Sequence, residues 1–291
     1  MIGRKHAFVL VLLMALAAGL AALLLPPLRD AGKVVRHDAN GMAAARALFD
    51  AALADPQSQD LGGLAAPAGF AALPQKDEWQ GVLLQEPADI CVGRGAYLLR
   101  AGDALMPLAI TAPHRGADRH TGTLAAQLFL EGNVVAAGWN SAPRHDHDLC
   151  GNAIDLARQE QHPFTAFALS FAARYPAGRV VQLHGFDGGS RAHVVAGDAA
   201  AIISNGTNDP SEALLDLADC LATLFAPRPA LLYPYETQEL GGTQNAQGRA
   251  MRAAGFAGFV HIELAADIRA RLVQDAELRA RFGQCLAGGL Q

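Results

Sequence analysis

Apolar residues in this chain come in short runs broken by polar or glycine-rich stretches, and their lengths and periods predict alternating strands and helices. Strand-length runs fall at 81–84, 96–100, 108–112, 133–138, 179–183, 200–204, 230–233 and 258–262. Helical spacing falls at 39–55, 123–131, 148–159, 164–174, 210–225, 243–254 and 265–286. Asp209 as cap with Pro210 at the first helical position predicts where one of these helices begins. Residues 56–74, rich in Gly, Pro and Ala and without a period, read as a connection. Several strand runs are apolar throughout, the pattern of strands covered on both faces. The expectation is an α/β fold: a single mixed, mostly parallel sheet flanked by helices, with polar ligands gathered beyond the carboxyl ends of the strands.

One apolar run is of another kind. Arg4, Lys5 and His6 precede an uncharged stretch over residues 7–25, closed by Pro26-Pro27. As a helix rising about 1.5 Å per residue it nearly matches a hydrocarbon core of roughly 30 Å. The positive flank favours a cytoplasmic N-terminus, which puts the remainder across the membrane. Two readings stand: a transmembrane signal-anchor or a cleaved signal peptide. The protein is then inner-membrane-anchored facing the periplasm, or secreted. The division expected is 1–29 signal-anchor or signal peptide, 30–75 linker with a short helix, and 76–291 an α/β catalytic domain large enough for a substantial core.

The charge balance argues against nucleic acid as a partner: 23 scattered basic residues face 28 acidic ones, for a net charge of -5. Cys91, Cys150, Cys220 and Cys285 form no C-x-x-C pair, which speaks against cysteine-bound zinc and redox chemistry. In an oxidising compartment they permit two disulfides, and Cys220 also reads as a small buried apolar residue of its helix.

The chemistry gathers in four segments in which an apolar strand delivers a polar residue: LAITAPHRGADRHTG, VVAAGWNSAPR, RVVQLHGFDGG and GFVHIEL. They present His114, Asp118 and His120; Asn140 and Arg144; His184; and His261 and Glu263. Zinc suits such a set, because a catalytic site takes three N/O ligands and leaves one position open. His114 and Asp118 are four apart, so a helical turn begun at Arg115 puts both on one side, with His120 the rival to Asp118. His184 completes the metal triad from another strand, and Glu263 is the general base, or else an ion-pair partner of Arg269 or Arg271. The polar segment 237–249 reads as a loop over the site, with Arg249 and Glu239 as candidate substrate contacts, or as an ordinary connection leading into a helix. The Arg144-to-Asp148 cluster reads as a solvated loop or a second metal site.

The order PHRGADRHTG, WNSAPR, QLHGF and HIEL resembles the superfamily of N-formylglutamate amidohydrolases, poly-γ-glutamate hydrolases and zinc carboxypeptidases, over residues 108–264. The resemblance implies a zinc exopeptidase-like fold and a zinc-dependent amidohydrolase or peptidase. It implies His114, Asp118 and His184 as metal ligands and Glu263 as catalytic acid/base. Asn140 and Arg144 match an element that grips a substrate carboxylate, a role a guanidinium fork suits. The chain departs from the His-x-x-Glu of zinc carboxypeptidases: it has His-x-x-x-Asp, then His120. The expected substrate is a small molecule or peptide bearing a carboxylate. A catalytically inactive membrane-anchored binding protein on the same fold is the alternative.

Overall fold

A computed structural model describes residues 39–87, 92–103, 105–142, 144, 155–191 and 195–290. The N-terminal apolar run, Cys91, Cys150 and most of the Arg144-to-Asp148 cluster lie outside them. Among the described residues, no helix is long and apolar enough to cross a membrane.

All eight strand-length runs form strands: β2 (Gly81–Gln85), β3 (Ala96–Arg100), β4 (Met106–Ala112), β5 (Val134–Trp139), β6 (Arg179–Phe186), β7 (Ala201–Ser204), β8 (Ala230–Leu232) and β9 (Phe259–Ala265). With β1 (Ala71–Gln75) they make one nine-stranded sheet in the order β1-β2-β3-β5-β4-β6-β9-β7-β8. The expectation of a mostly parallel sheet needs correction. β5-β4-β6-β9 and the β7/β8 pair are parallel, while β1/β2, β2/β3, β3/β5 and β9/β7 are antiparallel, four pairs of each kind.

The helices are α1 (Ala39–Ala54), α2 (Leu61–Ala68), α3 (Thr121–Glu131), α4 (Pro163–Arg174), α5 (Glu212–Phe225), α6 (Ala246–Ala253), α7 (Ala266–Gln274) and α8 (Ala276–Ala287). Three departures from expectation have local causes. Residues 56–74 hold α2 and β1, because Leu61, Ala65 and Ala68 form a buried stripe that small residues make faint in sequence. The helix expected from Pro210 starts at Glu212 with Ser211 as cap, because the Asp209 carbonyl is taken by Asn205 and Thr207. The expected 265–286 helix is split at Asp275, whose side chain caps the second piece at Leu278 N, 3.0 Å away. Of the expected 148–159 helix, the described part forms only a short 3₁₀ turn, Leu156–Arg158.

Two apolar layers cover the sheet. One packs α3, α5, α7 and α8 over residues such as Ile110, Leu183 and Ile262. The other packs α1, α4 and α6 over Ala109, Val180 and Phe259, with Phe49 edge-on to Tyr97 and Phe167. α1, α2 and β1 therefore share this core. A Cys220–Cys285 disulfide ties α5 to α8.

Alternation then places the chemistry. Side chains on one face of a strand recur every second residue. The face that buries Val180 and Phe259 carries Gln182 and His184 on β6, and His261 and Glu263 on β9, as each strand nears its carboxyl end. Parallel register sets Gln182 beside His261 and His184 beside Glu263.

Candidate functional site

After β4, the chain closes one helical turn through a 2.7 Å bond from Asp118 N to His114 O. That turn puts both side chains on the same side, against β6. Asp118 Oδ2 lies 3.5 Å from His114 Nδ1 and 3.4 Å from His184 Nδ1. The three donor atoms fall within 4.8 Å of one another, and all three residues are buried. His120 is exposed and sits at the start of α3 with φ 75°, so the turn presents Asp118, not His120, to the histidines.

Each histidine is held from behind. His114 Nε2 lies 2.8 Å from Asp155 Oδ1, and His184 Nε2 lies 2.9 Å from Gln182 Oε1. Both partners accept, so a neutral ring at either position carries its proton on Nε2 and leaves Nδ1 free to ligate; the tautomer is assigned from this network. His114 Nδ1 is buried without a hydrogen-bond partner. Two unprotonated imidazole nitrogens and one carboxylate oxygen facing one point are a donor set that fits zinc.

An amide network stands behind that arrangement. Gln182 Oε1 also accepts from Asn245 Nδ2, and Gln182 Nε2 donates to Gln247 Oε1 at 3.4 Å. Gln247 Nε2 donates to Leu156 O at 2.9 Å, Gln159 O at 3.3 Å and Thr165 Oγ1 at 2.9 Å. One buried network thus reaches both Gln182 and the 3₁₀ turn next to Asp155.

The electrostatics follow from burial and these pairings. Burial pulls the His114 imidazole down, but the Asp118 and Asp155 carboxylates outweigh it and raise the net value. Burial also works against the Asp118 carboxylate, and the two histidines hold it well below the usual range. His184 is lowered by burial, opposed in part by Asp118. Glu263 is pushed up to about 8, first by burial and then by the Asp118 charge.

These residues open on a cavity of about 130 Å³ whose wall includes His114, Arg144, Asp155, His184, His261 and Glu263. A larger apolar cavity of about 380 Å³ near Met106 and Val134, at the amino ends of β4 and β5, holds none of the site residues. Arg144 reaches the wall with Nη2 3.1 Å from Asp155 Oδ2. Glu263 has no ion pair with Arg269, whose guanidinium goes to the carbonyls of Arg119, Phe186 and Leu264. Segment 237–249 contributes Gly242, Gln244 and Asn245 to the wall. Asn140 and Arg249 are not brought there. Asn140 Oδ1 accepts from Ala142 N at 3.0 Å, and Arg249 pairs with Glu160 at 2.8 Å on the surface. Glu239 pairs with Arg191 instead. Asp155, Gln182 and Gln247 went unmarked in the sequence; only Gln182, alternating with His184 inside an apolar strand, left a signal there.

No protein-family model matches the chain, and no curated protein matches it. Among solved structures it is similar to a zinc-free apo form of YNDL, at 16% identity and TM-score 0.41 over 65% of this chain and 87% of that one. It is similar to an N-formylglutamate amidohydrolase from Ralstonia eutropha JMP134, at 10% identity and TM-score 0.40 over 66% and 95%. A metallo-carboxypeptidase from Burkholderia cenocepacia follows at 11% identity and TM-score 0.38 over 80% and 68%. Likenesses at these identities and TM-scores assign neither a family nor an activity.

Proposed function

We propose that this chain is a zinc-dependent hydrolase of an amide or peptide bond in a substrate that carries a carboxylate. The supporting observation is the convergence of His114 Nδ1, Asp118 Oδ2 and His184 Nδ1 beside the buried Glu263 carboxyl. Those three residues would hold the zinc, which when bound supplies Lewis-acid polarisation of a carbonyl and a lowered water pKa. Glu263 takes a proton from water as the water oxygen bonds to the carbonyl carbon. It returns that proton to the amide nitrogen as the C–N bond breaks. Its raised pKa of about 8 suits proton exchange near neutrality. A nearby dication favours its ionised form, as the first transfer requires.

Arg144 lines the cavity and is the group for a substrate carboxylate; Asn140 and Arg249, away from the wall, have no part in this mechanism. The apolar run at 7–25 supports action outside the cytoplasm, from a membrane anchor or after cleavage of a leader. The test is hydrolysis of N-acyl amino acids and short peptides by the purified protein. Activity should vanish with a strong chelator and return with zinc. Activity that survives complete zinc removal, or none against any such amide, refutes the proposal.

A further inference from the structure

His261 stands at the cavity wall, buried, with no part in the mechanism above. Its Nδ1 is buried without a hydrogen-bond partner. The backbone of Gly242 (φ 62°) packs over the face of the ring, where a Cβ would lie 2.7 Å from Cγ, 2.8 Å from Cδ2 and 3.0 Å from Nδ1. The other nitrogen, Nε2, faces the cavity beside Glu263, 3.7 Å from Oε1. That separation is too long for a mutual hydrogen bond. It leaves the two groups free to engage a third molecule.

The two nitrogens are not equivalent. A buried N–H without an acceptor is rarer in native structures than an under-used lone pair. The ring therefore places its proton on Nε2 and leaves the lone pair on the buried, unpartnered Nδ1, which makes His261 a donor into the cavity. Its ring lies over His184 with centroids 4.5 Å apart and planes 32° apart, whereas His114 meets His184 edge-on at 69°. Nitrogen lone pairs lie in the ring plane, so rings stacked this way do not converge on one ion. Although His184, His261 and Glu263 are close enough to be considered as a cation set, that geometry favours a hydrogen-bonding role for His261.

We propose that His261 is a further catalytic residue, whose Nε2–H donates to the scissile carbonyl oxygen as negative charge develops on it. The oxygen and nitrogen of an amide are about 2.3 Å apart, from standard bond lengths. One amide can thus place its oxygen on His261 and its nitrogen on Glu263. A donor aimed at a developing oxyanion contributes about 10²–10³ in kcat. The inference rests on the hydrolase reading above.

Two measurements test it together. In the full chain, His261→Phe should lower kcat by about 10²–10³ while KM and zinc content hold, and His261→Gln, which keeps an N–H donor, should recover part of the loss. In chelated, ¹⁵N-histidine-labelled protein, the two-bond couplings of the ring that disappears in His261→Phe should show a neutral Nε2–H tautomer. A kcat left unchanged in His261→Phe, loss of zinc from that variant, or an Nδ1–H tautomer overturns the inference alone. A wild-type protein inert towards every amide overturns the hydrolase reading and this role with it.

Discussion

Removing the Asp155 carboxylate probes how the proposed metal ligands are held. Asp155 Oδ1 is 2.8 Å from Nε2 of His114, a ring with only 2% exposure. Asp155→Ala leaves that N–H buried without its acceptor and frees the ring to turn or change tautomer, which takes Nδ1 away from Asp118 and His184. Outer partners of metal-bound histidines contribute about 10–100-fold in metal affinity. At about 1.4 kcal/mol per tenfold, that is roughly 1.4–2.8 kcal/mol. The upper half of the range is expected, because the partner is ionised and the ring is desolvated. Asp155→Asn keeps an acceptor oxygen but loses the charge, so its affinity should fall between wild type and Asp155→Ala. The assay is competition for zinc against a chromophoric chelator at fixed neutral pH, with circular dichroism confirming the fold. Wild-type affinity in a folded Asp155→Ala protein would refute the reasoning.

Glu263→Gln should keep its zinc and lose about 10²–10⁴ in kcat; metal analysis beside steady-state kinetics checks both halves. The same substitution has a pH signature in chelated protein. An acid raised from 4.5 to about 8 binds more protons folded than unfolded, so stability falls as pH rises across that window. Urea unfolding should therefore show Glu263→Gln gaining on wild type from acid to pH ~9, by a few kcal/mol at most, and a constant difference would contradict the burial argument. Gln247→Leu removes the donor that holds Leu156 O, Gln159 O and Thr165 Oγ1. It should cost about 1–3 kcal/mol in stability and weaken zinc binding, read by denaturant titration and chelator competition; a change in neither counts against the network. Cys220→Ser with Cys285→Ser opens a bridge spanning 65 positions, which chain entropy values at about 4 kcal/mol, and thermal unfolding under non-reducing conditions measures the loss.

Strand positions were legible in the sequence because each central strand is a short apolar run between breaks, and His114, His184 and Glu263 each stand at or just beyond the carboxyl end of one. Strand alternation sets Gln182 on the face of His184 and His261 on the face of Glu263. Strand direction was not legible. The periodicity of β2, β3 or β7 is the same whichever way its neighbour runs, so the antiparallel half of the sheet was missed. α2 was hidden by its small residues, and the break between α7 and α8 by a single capping aspartate. Asp155 and Gln247 were hidden for another reason: the His114 partner of Asp155 lies 41 positions away and the partners of Gln247 65 or more, and nothing local distinguishes them from other polar residues. Arg249 shows the converse. Its position in a polar segment near the site suggested a substrate contact, yet its side chain turns outward to Glu160.

In the proposed mechanism His114, Asp118 and His184 form one zinc site served by Glu263. Zinc content of the purified protein, measured by elemental mass spectrometry beside His114→Ala, His184→Ala and Glu263→Gln, tests it most directly. Stoichiometric zinc in wild type and Glu263→Gln, lost in both histidine variants, is the predicted result. A wild-type protein that takes up no zinc, or histidine variants that keep it, would contradict the account.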